Sequence, residues 1–310
     1  PMLKKSKLRF IDAIKDAMDV KLKTDGKVLV MGQDIAEYGG VFKGTEGLLD
    51  KFGKDRIRNT PIIESGIIGA SLGLSIVGYK PVIEMQFSDF ITCGFNQLVN
   101  NIAKTYYRWN EPVNITLRMP CGGSIAAGPF HSQTTEAWFL HTPGLKLLYP
   151  SNPTDAKGLL ISAIDDPNPV IFFEHKALYR GIKEDVPLDY YNMQIGKGKI
   201  KVEGNDLTIV TYGIGVSWAI GIIDEIKDEG FSIEVIDLVS LVPWDKELVL
   251  ESIIKTNRLL ILHEANITGG VGAEISAYIN ENGFEFLDAP IKRVASIDTP
   301  VPFSSNLEKE

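Results

Sequence analysis

Short apolar runs closed by glycine or a polar residue alternate with stretches of helical period through most of the chain. That alternation admits few architectures. Strands joined by helical crossovers run parallel in one sheet, with helices on its faces. Residues 6–23 read as an amphipathic helix, with Phe10, Ile11, Ile14, Ala17 and Met18 at helical spacing. Val28-Leu29-Val30-Met31 reads as a buried strand closed by Gly32. Residues 65–77 form a helix whose Gly66, Gly69, Ala70 and Gly73 would let another backbone approach closely. Residues 81–86 and 113–119 are strands on either side of a helix over 89–106, and a helix at 154–164 leads to a strand at 170–173.

Residues 181–192 break into charges, prolines and tyrosines and read as a linker. A second α/β unit follows, with strands at 207–211, 233–236, 259–262 and 293–296 and helices at 216–227, 246–255 and 272–279. The expected division is a domain over 1–185 and another over 186–310. A formal charge of −8 argues against a nucleic-acid partner held by bulk electrostatics. No apolar run reaches the length of a membrane span, and no basic, apolar, small-residue leader is seen. Cys93 and Cys121 make neither a disulfide framework nor a metal-ligand spacing, so a reducing, cytoplasmic setting is expected. Pro1-Met2 reads as a tag remnant or as part of a longer polypeptide.

Three segments carry candidate chemistry. In Asn59-Thr60-Pro61-Ile62-Ile63-Glu64-Ser65-Gly66 a carboxylate stands where an extended run meets a helix. It reads either as a helix-start acid facing the macrodipole, or as a carboxyl in a dry, close-packed place that shares a proton with a ligand. Glu84-Met85-Gln86-Phe87-Ser88-Asp89-Phe90 ends a strand and opens a helix, the place where open α/β sheets expose binding residues. Gln86 offers hydrogen bonds and Phe90 a flat face. The plainer reading makes Phe87 and Phe90 core and Asp89 a helix cap. The loop from Cys121 to Gln133 holds three glycines and His131, an acid, base or donor near neutral pH, or a histidine tying loop carbonyls. His141, His175 and His263 read as packing or hydrogen-bonding residues. Gly213-Ile214-Gly215 and Gly269-Gly270-Val271-Gly272 follow strands but make no dinucleotide fingerprint, and there is no Walker lysine or nucleophile elbow.

Together these segments resemble the beta chains of 2-oxo acid dehydrogenases. Residues 31–42, Thr60-Pro61 to Glu64, Glu84 to Phe90, His131-Ser132-Gln133, His141-Thr142-Pro143-Gly144-Leu145-Lys146 and Asp155-Ala156-Lys157-Gly158-Leu159 follow in the family's order, over residues 6–302. The resemblance implies a thiamin diphosphate-binding, transketolase-like pyrimidine domain followed by a transketolase C-terminal-like α/β domain. It implies that Glu64 hydrogen-bonds a ring nitrogen of the cofactor's aminopyrimidine, so that the ring can take the proton from the thiazolium carbon. Gln86 and Phe90 would contact that ring, with phenylalanine where some relatives carry tyrosine, and Ile62 would pack beside it. His131 would serve acyl transfer to the lipoyl group of a transacylase core. Asp166-Pro167-Asn168, with the carbonyls of Ala163 and residues 113–116, resembles a structural potassium site, and reads equally as a helix-ending turn.

The Gly-Asp-Gly motif with its asparagine, which binds diphosphate and magnesium in this family, is missing here and belongs to the alpha chain. The resemblance therefore implies a site shared with an alpha chain, separate or fused, in an assembly of two alpha and two beta chains. The segments 86–90 and 172–176 look more like the branched-chain, 2-oxoisovalerate beta chains than the mitochondrial pyruvate ones. Branched-chain amino acid catabolism is thus the first expectation, and pyruvate or acetoin the second. A non-catalytic assembly subunit is an alternative, to which Glu64 and His131 together are opposed. The C-terminal half of a transketolase or deoxyxylulose phosphate synthase ranks last, because the His131 loop carries no phosphate-binding basic residue.

Overall fold

The computed structural model describes residues 4–309, and the Pro1-Met2 start lies outside them. Among the described residues fourteen strands are formed: β1 (Lys5–Arg9), β2 (Val28–Gly32), β3 (Ile57–Asn59), β4 (Lys80–Glu84), β5 (Thr116–Cys121), β6 (Lys146–Leu148), β7 (Val170–His175), β8 (Lys183–Pro187), β9 (Lys199–Val202), β10 (Leu207–Thr211), β11 (Ile233–Asp237), β12 (Ser240–Val242), β13 (Leu259–Asn266) and β14 (Lys292–Ser296). One sheet has the order β12-β6-β7-β5-β4-β2-β3 and a second the order β14-β13-β10-β11-β9. In the first, β6, β7, β5, β4, β2 and β3 run parallel and β12 joins β6 antiparallel.

The apolar runs follow from burial on both faces of this sheet. Val82 faces one core and Ile83 the other, as do Phe172 and Phe173, because successive side chains of a strand point to opposite sides. The core containing Ile83, Leu117 and Phe173 continues without a break into Val210, Ile236 and Ile275 of the second unit. The two units therefore share one apolar interior.

Three expectations are revised. The helix expected from residue 6 begins at Phe10, because Lys5–Arg9 forms β1 and pairs with β8. Its first turn is fixed by Arg9, whose guanidinium grips Asp12 at 2.7 Å. The linker at 181–192 is not merely a linker, since it contains β8, and the division expected at 185/186 falls inside that strand. The helix expected at 89–106 runs without a gap but changes its winding, from a 3-10 segment Ser88–Gly94 through a π segment Gln97–Ile102 to an α-helix Ala103–Trp109. At Gly94 an added Cβ would lie 2.4 Å from Ile68 Cδ1. The close approach that small residues were expected to permit thus occurs at Gly94. Gly66 and Gly73, on the helix Glu64–Ile76, face outward.

Two buried carboxyls join the units. Tyr212 donates to Glu136 Oε1 at 2.8 Å, and Ser151 donates to Asp237 Oδ2 at 2.5 Å. Burial pushes both carboxyls up to about 7, against the opposing hydrogen bonds of Tyr212 and Ser151. A raised folded-state pKa gives stability that is complete below the unfolded-state value and is lost as pH rises through the folded value. Glu136→Gln keeps an acceptor for Tyr212 and cannot ionise. Compared with wild type, it should be spared about 3 kcal/mol of the stability lost between pH 4.5 and pH 7. Denaturation midpoints at pH 5 and pH 7.5 for both proteins check this, and identical pH slopes would refute it.

Candidate active site

The chain reverses its direction of travel across the first sheet beside β2. From β2 it moves to β3 on one side, and from β4 to β5 on the other. Such a reversal leaves a crevice beyond the carboxyl ends of the strands. Gly32 is paired with Glu84 there, so Gln33 and Met85-Gln86 emerge side by side. Ile62 and Glu64 follow β3, Gln86 and Phe90 follow β4, and His131 follows β5. Every residue singled out for catalysis or cofactor contact is therefore carried on the same edge of one sheet.

Glu64 opens the helix Glu64–Ile76 and is buried. Gln33 Nε2 donates to Glu64 Oε1 at 3.0 Å, and Oε2 has no hydrogen-bond partner among the described residues. One oxygen is therefore oriented by Gln33. Beside it Ile62 is 84% exposed and Ile63 50% exposed, so the carboxyl lies at the foot of a bare apolar surface. Gln86 and Phe90 are half-buried. Gln33 was assigned no role on sequence grounds. A glutamine just after the strand-closing Gly32 was the available signal.

His131 is drawn into the same site by aromatic contacts. Its ring meets Phe87 edge-on at 4.8 Å and Phe90 at 5.5 Å, and those two phenylalanines meet at 5.6 Å. Its backbone N–H donates to Gly128, while its ring makes no hydrogen bond to a loop carbonyl among the described residues. Asp89 is not a helix cap. Its Oδ1 accepts from Gln133 N at 3.2 Å, and Ser88 Oγ donates to Gln133 O at 2.8 Å. At the other end of the loop, Lys176 donates to Gly122 O at 2.7 Å, and burial lowers its pKa. Gly122 has φ +89° and an added Cβ would fall 2.0 Å from His175 Nε2, so only glycine fits. Glu264 of β13 bridges His175 Nε2, at 2.9 Å, and Gly123 N, at 3.2 Å.

Beneath the crevice lies a buried ionic cluster that the sequence did not announce. Arg118 on β5 reaches Glu84 at 2.7 Å and both oxygens of Glu174 at 2.7 and 2.8 Å, and Tyr179 donates to Glu174 at 2.7 Å. Burial raises the pKa of Glu84, against the pull of Arg118. Burial opposes the charge of Arg118, but Glu174 and Glu84 outweigh it and raise its pKa. Of the other histidines, His175 and His263 are buried, and burial lowers His263 to about 4. His141 is exposed rather than packed, and lines a cleft of about 690 Å³ between the units with Trp244, Lys246 and Gly270.

The residues named for potassium lie together but are largely engaged. Lys146 is 2.5 Å from Asp166 Oδ2, Asn168 N donates to Asp166 Oδ1 at 2.9 Å, and Asp166 N donates to Ala163 O at 3.3 Å. The ammonium already supplies the positive charge, and the buried side-chain oxygens without a partner among the described residues here are Asn168 Oδ1 and Thr116 Oγ1. This donor set fits a potassium ion poorly.

The family described as transketolase, pyrimidine binding domain, matches residues 6–182, and transketolase, C-terminal domain, matches residues 196–310. Over 298 residues the chain is 46% identical to 2-oxoisovalerate dehydrogenase subunit beta 2, mitochondrial, of Arabidopsis thaliana, covering 95% of this chain and 83% of that one. The chain belongs to the beta subunits of 2-oxo acid dehydrogenase E1 components. This beta chain is also 43% identical to 2-oxoisovalerate dehydrogenase subunit beta of Bacillus subtilis, over 98% of its own length and 94% of the other. It is 42% identical to pyruvate dehydrogenase E1 component subunit beta of Staphylococcus epidermidis, over 96% and 93%. A solved split gene transketolase, an inactive beta4 tetramer, shares the fold of this beta chain with a TM-score of 0.80 at 23% identity, over 97% of this chain and 92% of that one.

Proposed function

We propose that this beta chain supplies the aminopyrimidine half of a thiamin diphosphate site in an enzyme that oxidatively decarboxylates a branched-chain 2-oxo acid, 2-oxoisovalerate, and passes the acyl group to a lipoyl-bearing transacylase core. The observation that carries this reading is Glu64, buried at the crevice, oriented by Gln33 and overlooked by exposed Ile62. The donor set suits an aminopyrimidine, with a carboxyl for a ring nitrogen, the Gln86 amide for polar edges, and Phe90 and Ile62 for the faces. Thiamin diphosphate, when bound, supplies a nucleophilic carbon and an acceptor for the electrons released by decarboxylation. Glu64 holds and shares the proton at its free oxygen, Gln33 keeps that oxygen aimed, and the apolar residues exclude water.

The other half of the site is assigned to an alpha chain, in an assembly of two alpha and two beta chains. The magnesium and diphosphate are given to that chain because, in the family this sequence resembles, the Gly-Asp-Gly motif that binds them belongs to the alpha chain. The exposed Ile62, Ile63, Gly66 and Gly73 support a covering partner. The two units are taken to divide just after β8. Two unpaired cysteines fit a cytoplasmic setting, and no described helix is long and apolar enough to cross a membrane. The similarity to a pyruvate dehydrogenase beta subunit makes pyruvate the second reading.

The test mixes this chain with the alpha chain encoded beside it, thiamin diphosphate and magnesium, with 2-oxoisovalerate and pyruvate side by side. Turnover that needs both chains and favours 2-oxoisovalerate is expected. A preference for pyruvate would keep the mechanism and overturn the substrate. No turnover from a folded, associated mixture would bring the assembly-subunit reading forward.

A further inference from the structure

Four consecutive residues after β4 all bear on the loop that carries His131. Phe87 and Phe90 press ring edges on the imidazole at 4.8 and 5.5 Å. Ser88 and Asp89 take the carbonyl and the N–H of Gln133, two residues further on. Gly122 N also donates to Gln133 O, at 3.3 Å, so Gln133 is the neck at which the loop closes. Phe87 is itself fixed from behind, edge-on against Phe42 at 5.5 Å and under the Lys176 ammonium at 5.5 Å. The imidazole has no other side-chain anchor among the described residues, so its plane is set by these rings.

We propose that Phe87 and Asp89 are positioning residues for His131 in the acyl-transfer half of the reaction, Phe87 fixing the plane of the imidazole and Asp89 the neck of its loop. The proposal rests on the reading of function above. In the transfer step the hydroxyl-bearing carbon of the acyl unit would form a C–S bond to one lipoyl sulfur as the lipoyl S–S bond breaks, so that the carbon gives up the two electrons the disulfide gains. His131 would deliver the proton to the second sulfur, and the carbon's bond to the cofactor would break with its electron pair returning to the cofactor as the hydroxyl gives up its proton. Proton delivery needs an imidazole held in one plane, whereas decarboxylation does not use it. Loss of the Phe87 edge should therefore act on one half-reaction alone.

The test uses the assembled enzyme with its alpha chain. Decarboxylation is followed with an artificial oxidant, and acyl transfer with a lipoylated domain of the transacylase core. Phe87→Leu should slow acyl transfer roughly 10- to 100-fold, the scale of a small misplacement of a catalytic group, with decarboxylation held within about twofold. Phe87→Tyr, which keeps the ring, should restore transfer. Asp89→Asn keeps the acceptor for Gln133 and should act like wild type, whereas Asp89→Ala should lower transfer. A second readout is free of activity. The chain has four histidines, so labelling them at Cε1 gives few resonances, with His131 assigned through His131→Asn. That signal should move in Phe87→Leu and stay in Phe87→Tyr, as the ring-current field of Phe87 is lost or kept. Parallel loss of both half-reactions, unchanged transfer, or an unmoved His131 signal would each overturn the proposal. A wild-type mixture that does not decarboxylate would instead sink the functional reading, and the resonance would still decide whether Phe87 holds His131.

Discussion

Glu64→Gln lowers the decarboxylation rate of the assembled enzyme about 10²- to 10⁴-fold, the range for losing a positioned proton-transfer group. The substitution is close to isosteric. The new side chain still accepts from Gln33, which now donates to Glu64 Oε1 at 3.0 Å, so the helix Glu64–Ile76 should start as before. What is lost is a proton that can be shared at the second oxygen. The fall should lie in kcat, with unfolding midpoint and alpha-chain association unchanged. Steady-state kinetics beside thermal unfolding check this. Full activity in the variant would revive a chain that serves assembly alone.

Arg118→Met destabilises the chain by about 3–5 kcal/mol, the usual result of removing one partner from a buried ionic cluster. Methionine fills part of the space, but Glu84 and Glu174 are left as buried carboxyls without their cation. The sign of the pH dependence follows. Burial already raises the pKa of Glu84, and without Arg118 the buried pair would be tolerated best when protonated. The deficit should therefore shrink as pH falls towards 5 and grow as it rises. Adding Glu84→Gln and Glu174→Gln should recover most of the loss, since a neutral buried cluster has no unpaired charge. Denaturant titrations of the three proteins at two pH values measure both effects. A loss that is independent of pH, and is not recovered in the triple variant, would mean that lost packing alone is responsible.

Strands buried on both faces were legible because their apolar runs are continuous. Val28 to Met31 and Val170 to Phe173 lie where their composition placed them. The miss at residues 5–9 has a physical reason. The helical period of Phe10, Ile11 and Ile14 extends back to residue 6 on sequence grounds, but pairing with β8 decided the conformation of residues 5–9, and that partner lies far along the chain. β12 was hidden in the same way, since three residues carry no periodicity and β6 supplies the pairing. Glu64, Gln86, Phe90 and His131 were singled out by motif and resemblance, and the fold carries them at the carboxyl ends of neighbouring strands. The contacts of Gln33, Phe87 and Asp89 could not be read from the sequence, because a hydrogen bond to Glu64 or Gln133, or an edge against an imidazole, depends on neighbouring strands ending together. Arg118 looked like an ordinary charged residue in a strand, and nothing local reveals that Glu84 and Glu174 face it.

The antiparallel strand β12 has a consequence for synthesis. Residues 240–242 complete the sheet that residues 28–175 otherwise build. While the ribosome makes everything between β7 and β12, the nascent first unit carries an open edge along β6, with backbone groups free to pair with a neighbouring chain. A newborn copy thus passes through a vulnerable interval that its finished form never shows, and crowding among nascent copies, or the timely arrival of a chaperone, would decide how many survive it.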